Sequence, residues 1–129
     1  MEEREIFTLT KSEFQMMETL WNAGRSLSKS EIIENSPNRT WKASSVYIIL
    51  RSLLKKGAIA EDGIFYSNTN IGRKFKPTLS QKDYAIMQID KARMENKISL
   101  SELMAGLVKH KVSDKKVDEL KNIIDNNLD

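Results

Sequence analysis

The chain contains no cysteine, which excludes a disulfide, a thiolate metal site and thiol catalysis. Its single histidine, His110, lies between Lys109 and Lys111 and reads as a solvated residue at a helix end. No glycine-rich phosphate loop and no His/acid metal spacing occurs. The carboxylates that could be taken for general acids, Glu13, Glu31, Asp83 and Glu102, each follow a serine or threonine by three residues, and that spacing marks helix starts. No apolar run approaches the roughly 18 residues of a membrane span, so direct membrane insertion is not expected. The acidic opening Met1–Glu5 has the form of neither a signal nor a transit peptide. An enzyme, a cofactor and a bound metal are therefore not expected, and a cytoplasmic location is.

What is present suits a folded, helix-leaning protein: 129 residues, 40% hydrophobic and 30% charged, enough for one small domain plus an oligomerising segment. The net charge of +3 is modest but uneven. Between Arg25 and Lys56 seven bases (Arg25, Lys29, Arg39, Lys42, Arg51, Lys55, Lys56) face two acids, Glu31 and Glu34, a local +5. From Ser80 to Asp129 nine bases balance nine acids. A polyanionic partner is thus expected for the N-terminal half alone.

Within the basic segment, Trp41–Gly57 has helical periodicity. At about 100° per residue, Val46, Ile49, Leu50 and Leu53 form one stripe with Leu54 at its edge, and Ser44, Ile48, Arg51 and Lys55 lie opposite. No acid occurs in this stretch. Lys55 and Lys56 suit the negative end of the helix, and Gly57 suits a left-handed stop. An apolar back with a small, basic, acid-free front fits a DNA major groove; an ordinary amphipathic helix with a solvated outer face shares the pattern.

Two capping boxes precede it. Thr10-Lys-Ser-Glu13 opens a helix to about Ala23, stopped by Gly24, with Phe14, Met17, Leu20 and Trp21 as its core stripe. Ser28-Lys-Ser-Glu31 opens a short helix with Ile32 and Ile33 buried and Pro37 closing it. Three helices, the last two joined by a short turn, make a helix-turn-helix. The period then changes. Ala58–Asn68 is rich in Ile, Phe and Tyr, Asn68–Gly72 offers a turn, and Arg73–Lys76 alternates again before Pro77, so a hairpin is expected, with Gly63 as a bulge rather than part of an Asp62-Gly63 turn. A hairpin after the third helix is a wing, and Arg73, Lys74 and Lys76 give it the charge that phosphate contact requires.

The second half is helical. Ser80-Gln-Lys-Asp83 begins a helix to about Asn96 that includes Tyr84, Met87 and Met94. Ser99-Leu-Ser-Glu102 begins another, with Leu100, Leu103, Met104, Leu107 and Val108, and Ser113 a last one, with Val117, Leu120, Ile123, Ile124 and Leu128. These stripes exceed what three short helices can hide by themselves, so a homodimer with Leu100, Leu103, Leu107, Val117, Leu120 and Ile124 at its interface is expected; packing of the same helices on the N-terminal domain of a monomer is the alternative.

The residues Trp41…Ile49-Leu50…Leu53-Leu54-Lys55-Lys56-Gly57-Ala58-Ile59, preceded by Leu9-Thr-Lys-Ser-Glu13-Phe…Leu20-Trp21, resemble the recognition and first helices of the penicillinase-repressor family (BlaI/MecI type). Phe75-Lys-Pro77…Leu79-Ser80…Tyr84 is similar to its wing-to-linker passage, and Ser99-Leu100…Leu103…Leu107-Val108-Lys109 to its penultimate helix. The resemblance runs from Leu9 to about Asn126. It implies a winged helix-turn-helix domain (residues 1–79), a three-helix dimerisation region (residues 80–129), and a mainly α fold with a small β-hairpin. It further implies a dimeric transcriptional repressor on an inverted-repeat, double-stranded DNA operator, of the kind that controls antibiotic-resistance or copper genes. The copper branch relies on a C-terminal cysteine cluster and is excluded. In the resistance branch a membrane-bound sensor protease cuts an Asn-Phe bond, whose aligned pair here is Gly106-Leu107.

The family's groove-facing positions fall on Ser44, Ser45, Tyr47, Ile48 and Ser52. Helical spacing and charge add Lys42, Arg51, Lys55, Arg73 and Lys74 as DNA-contacting candidates. Tyr47 and Ile48 are bulkier than the basic or hydroxylated residues usual there, and Ile48 suits a thymine methyl. Two alternatives stand beside operator binding under protease control: a protein-interaction module, and a repressor released by a small ligand.

Overall fold

The computed structural model describes residues 5–66 and 71–109, the side chain of Phe65 excepted. Residues Phe7–Gln81 form one compact unit, and the described residues 5–6 and 82–109 belong to a second.

The first unit is assembled from short elements whose ends are written in side-chain chemistry. Helix α1, Lys11–Ala23, opens on a reciprocal cap: Thr10 Oγ1 accepts from the Glu13 N–H at 3.2 Å, and Glu13 Oε1 accepts from the Thr10 N–H at 2.8 Å. It ends at Gly24, whose φ of 65° is the left-handed stop expected of it. Strand β1 is only Leu27–Ser28. Ser28 is also the cap of α2, Lys29–Glu34, with Glu31 N–H to Ser28 Oγ at 3.3 Å and Ser28 N–H to Glu31 Oε1 at 3.0 Å. The Ser28 backbone N–H, followed by the Arg25 guanidinium at 2.8 Å, holds the Glu31 carboxyl down at about 2.

The third helix starts later than its periodicity suggests. Ala43–Ser45 form a single tight turn, with Ser45 N–H to Lys42 carbonyl at 2.8 Å, and α3 proper is Val46–Lys56. No side-chain hydrogen bond caps this start, unlike those of α1 and α2, and a single turn of the tighter helix is common at an α-helix N-terminus. At the far end Gly57 N–H bonds the Leu54 carbonyl and Ala58 N–H the Leu53 carbonyl, both at 3.0 Å. This closing motif needs the positive φ of 78° that Gly57 supplies.

Strands β2, Ile59–Tyr66, and β3, Ile71–Pro77, form the expected hairpin, and the turn between them lies outside the described residues. The ladder slips between Glu61 and Ile64, and Gly63 has φ 101°. Gly63 is therefore the bulge. Unanticipated was β1, which pairs antiparallel with β3 (Leu27 opposite Phe75, Ser28 opposite Lys74) to give a three-stranded sheet of order β1-β3-β2.

The core beneath the sheet contains Met16, Met17, Leu20, Leu27, Ile32, Val46, Leu50, Leu53, Ala58, Ile59 and Phe75. The buried face of α1 is turned from the stripe expected for it: Glu13, Met16, Met17 and Leu20 point inward. Phe14 and Trp21 are half-buried and meet edge to face, centroids 5.9 Å apart, and Trp21 Nε1 donates to the Leu79 carbonyl at 2.9 Å. In α2 only Ile32 is fully enclosed; Ile33 is half-buried, and the helix ends at Asn35 before reaching Pro37. Trp41 is buried, with the Arg39 guanidinium 5.3 Å above its ring.

In the second unit α4 spans Gln81–Glu95 and α5 Leu100–Lys109. Ser99 caps α5, accepting from the Glu102 N–H at 3.1 Å. No residue of α5 is buried: Leu103, Met104 and Leu107 are half-covered, while Leu100 is 47% and Val108 62% exposed. The expected third helix, with Val117, Leu120 and Ile124, lies outside the described residues.

Candidate nucleic-acid interface

Five of the residues nominated from sequence share one solvent-facing strip. Ser44 on the tight turn and Tyr47, Ile48, Arg51 and Lys55 on α3 are all exposed. Their spacing of three and four residues follows from the burial of Val46, Ile49, Leu50 and Leu53 on the opposite side. The bulky members project furthest, Tyr47 at 58% and Ile48 at 73% exposure. Lys42 is exposed just before the turn, and Ser45 is half-buried beside it.

A residue absent from that nomination completes the strip. The Lys29 ammonium, at the start of α2, lies 5.6 Å from the centre of the Tyr47 ring, and the Arg51 guanidinium lies 5.8 Å from it. Two cations thus flank one exposed aromatic, each attracted to the ring quadrupole. The only hint in the sequence was that Lys29 belongs to the basic segment; its approach to Tyr47 depends on how α2 crosses α3. Lys42 and Lys55 take part in no ion pair among the described residues. The strip is accordingly positive, acid-free and partly apolar, with positive charge at both ends.

Two nominated residues are engaged elsewhere. Ser52 is half-buried and donates its hydroxyl proton to Glu13 Oε2 at 2.6 Å, on the side of α3 that faces α1. One step along a helix is about 100°, which carries Ser52 off the face that Arg51 occupies. On the hairpin, Arg73 is exposed but its guanidinium bonds Glu61 at 2.6 Å, and Lys76 lies 3.7 Å from Asp62. Ser26 donates to Asp62, and that bond, with the nearby Lys76 and Lys74 charges, lowers the Asp62 carboxyl below its ordinary range. The wing's bases thus face acids of the wing itself, an arrangement not apparent from a count of its cations. Lys74 is half-buried where β3 meets β1.

Three helices with a small antiparallel sheet, its hairpin following the exposed third helix, have the architecture of a winged helix, a class that presents that helix to DNA. The sequence profile of the penicillinase repressor family matches residues 9–126, and the chain belongs to that family. Its members are DNA-binding transcriptional regulators and not enzymes. No curated protein matches the chain. Among the described residues no helix is long and apolar enough to cross a membrane.

Proposed function

We propose that this protein is a homodimeric repressor that places α3 in the major groove of each half of an inverted-repeat operator in the cytoplasm. The observation that carries this reading is the exposed strip Ser44, Tyr47, Ile48, Arg51 and Lys55, flanked by Lys29 and free of acids. Arg51 has the donor geometry for a guanine edge, and Ile48 offers an aliphatic surface to a thymine methyl. Lys29, Lys42 and Lys55 reach toward phosphates and set register. Lys74 supplements them from the base of the wing, and Arg73 joins only by giving up Glu61.

Selection from a random duplex library with the full chain tests this. A preferred sequence should emerge, with binding that weakens steeply as salt rises. Lys42→Ala and Lys55→Ala should each weaken binding to all sequences alike and reduce the log–log salt slope by about 0.9. Ile48→Ala should instead change which base is preferred. Salt-insensitive binding, or no enriched duplex, would count against DNA and in favour of a protein partner for the same strip.

Relief of repression is a separate matter. Among relatives of the resistance branch the cut falls at Asn-Phe, and Gly106-Leu107 within α5 stands at the aligned position. A Cβ built at Gly106 would meet nothing within 4 Å, so contacts among the described residues do not require glycine there. Glycine weakens a helix interior by about 1 kcal/mol relative to alanine, which eases local opening. A membrane-bound sensor protease with Asn-Phe specificity is nonetheless expected to leave this chain intact, and induction then requires a protease of other specificity or a small ligand. Mass spectrometry of the protein from β-lactam-exposed cells should show full-length chain; a fragment ending at Gly106 would overturn this.

A further inference from the structure

We propose that Glu13 is a positioning residue for sequence discrimination: it fixes the rotation of α3 about its own axis, and through it the aim of Ile48 and Arg51. The proposal rests on the reading that α3 enters DNA. Glu13 is only 3% exposed, and it does more than cap its own helix. While Oε1 accepts from the Thr10 N–H, the same oxygen accepts from Lys56 Nζ at 2.5 Å, and Oε2 accepts from Ser52 Oγ at 2.6 Å. Ser52 and Lys56 are successive turns of α3. Lys56 Nζ also donates to the Thr8 carbonyl at 2.9 Å, so the segment leading into α1 is tied to the same point. Burial by itself raises the Glu13 carboxyl, but the bonds from Lys56, Ser52 and Thr10 outweigh it and hold it below its ordinary range. It stays an anion with its neighbours in place.

Directional bonds do something here that the apolar contacts do not. Val46, Ile49, Leu50 and Leu53 hold α3 against the core through burial, which is non-directional and ties no particular side chain to a fixed hydrogen-bonding point. Two bonds a turn apart, converging on one rigid carboxylate, resist rotation. Ser52 adjoins Arg51 in the chain, and Ile48 lies one turn before it, so the tether at Ser52 acts close to both reading side chains. With side chains the helix is about 10–12 Å across, so a turn of about 10° carries a tip through roughly 1 Å. That displacement is enough to spoil a base-edge hydrogen bond, whose useful range spans about 0.5 Å. Phosphate contacts from long lysines would absorb it.

The test uses the full chain and the duplex enriched by the wild-type protein, with a scrambled duplex as reference, at one salt concentration. Glu13→Gln and Ser52→Ala should leave affinity for the scrambled duplex within about twofold while lowering the enriched-to-scrambled ratio by about tenfold, the scale of one base-edge contact. Repeating the selection with Ser52→Ala should blur the bases that Ile48→Ala also changes. Ser52→Thr, which keeps the hydroxyl, should restore the ratio. If Glu13→Gln proves too unstable to fold, Lys56→Gln, which weakens the other tether to the carboxylate, takes its place and should lower the ratio in the same way. An unchanged ratio overturns the proposal, as does a fall in both affinities that matches the unfolded fraction seen by circular dichroism. Failure of the wild-type chain to enrich any duplex would defeat the DNA reading and this proposal together; an enriched duplex with an unchanged ratio would defeat only the proposal.

Discussion

Leu107→Asp is expected to lower affinity for a two-half-site operator by about 10²–10⁴-fold, the advantage gained when two linked readers bind together. The reason lies in α5, where Leu103, Met104 and Leu107 are only half-covered and Leu100 and Val108 are open, so that no residue of the helix is buried. A second copy of the chain would cover that face. A carboxylate placed there would be desolvated without a partner, and separation into monomers avoids that cost. Affinity for a single half-site should be nearly unchanged, because Phe7–Gln81 is a compact unit of its own. Sedimentation beside gel shifts on whole and half operators measures both effects. A wild-type chain that sediments as a monomer at micromolar concentration would defeat the idea, as would a variant that stays dimeric.

The second large effect is on stability. Leu53 is fully enclosed, 0% exposed, on the buried face of α3, a helix that packs against α1, α2 and β2. Leu53→Ala removes three carbons from a packed site and should cost about 2–5 kcal/mol, as large-to-small core changes do. In a domain whose total stability is typically about 5–15 kcal/mol, that is enough to populate the unfolded state. Ile48→Ala, on the opposite side of the same helix, should change stability by no more than about 0.5 kcal/mol. Urea denaturation of the two variants compares the faces directly. A loss below about 1 kcal/mol for Leu53→Ala would contradict the placement of the core.

The contrast between those two leucine and isoleucine positions was legible in periodicity alone, as were the capped starts at Thr10, Ser28 and Ser99 and the stops at Gly24 and Gly57. Each follows from interactions within a turn or two of chain, and local chemistry is what a sequence displays. The misreadings share the opposite cause. The periodicity of α1 points to a stripe through Phe14 and Trp21, since a glutamate at position 13 has the character of surface; it is inside because Ser52 and Lys56, far along the chain, bond it there. Ser52, a groove position by the family resemblance, also bonds Glu13, a pairing that no local pattern displays. Nothing local marks Lys29 as a neighbour of Tyr47, because α2 and α3 meet only in the fold. The wing's cations looked free because Glu61 and Asp62 are on the other strand of the hairpin. A two-residue strand such as β1, sharing Ser28 with a helix cap, leaves no alternation to detect.

That short strand has a bearing on the order of events at the ribosome. Leu27 and Ser28 find their ladder partners only in Phe75 and Lys74. Helices α1, α2 and α3 are therefore synthesised well before the strand that joins the first of their connections to the sheet. Until β3 emerges, Leu27 lacks its ladder partner Phe75, and the nascent helices have only one another for cover. Loop closure over so long a separation costs entropy that local helix contacts do not. Helix α3 is thus translated early and secured late: the wing is the clasp that completes the domain, and a chain interrupted ahead of it is expected to present apolar surface to the cell's quality control.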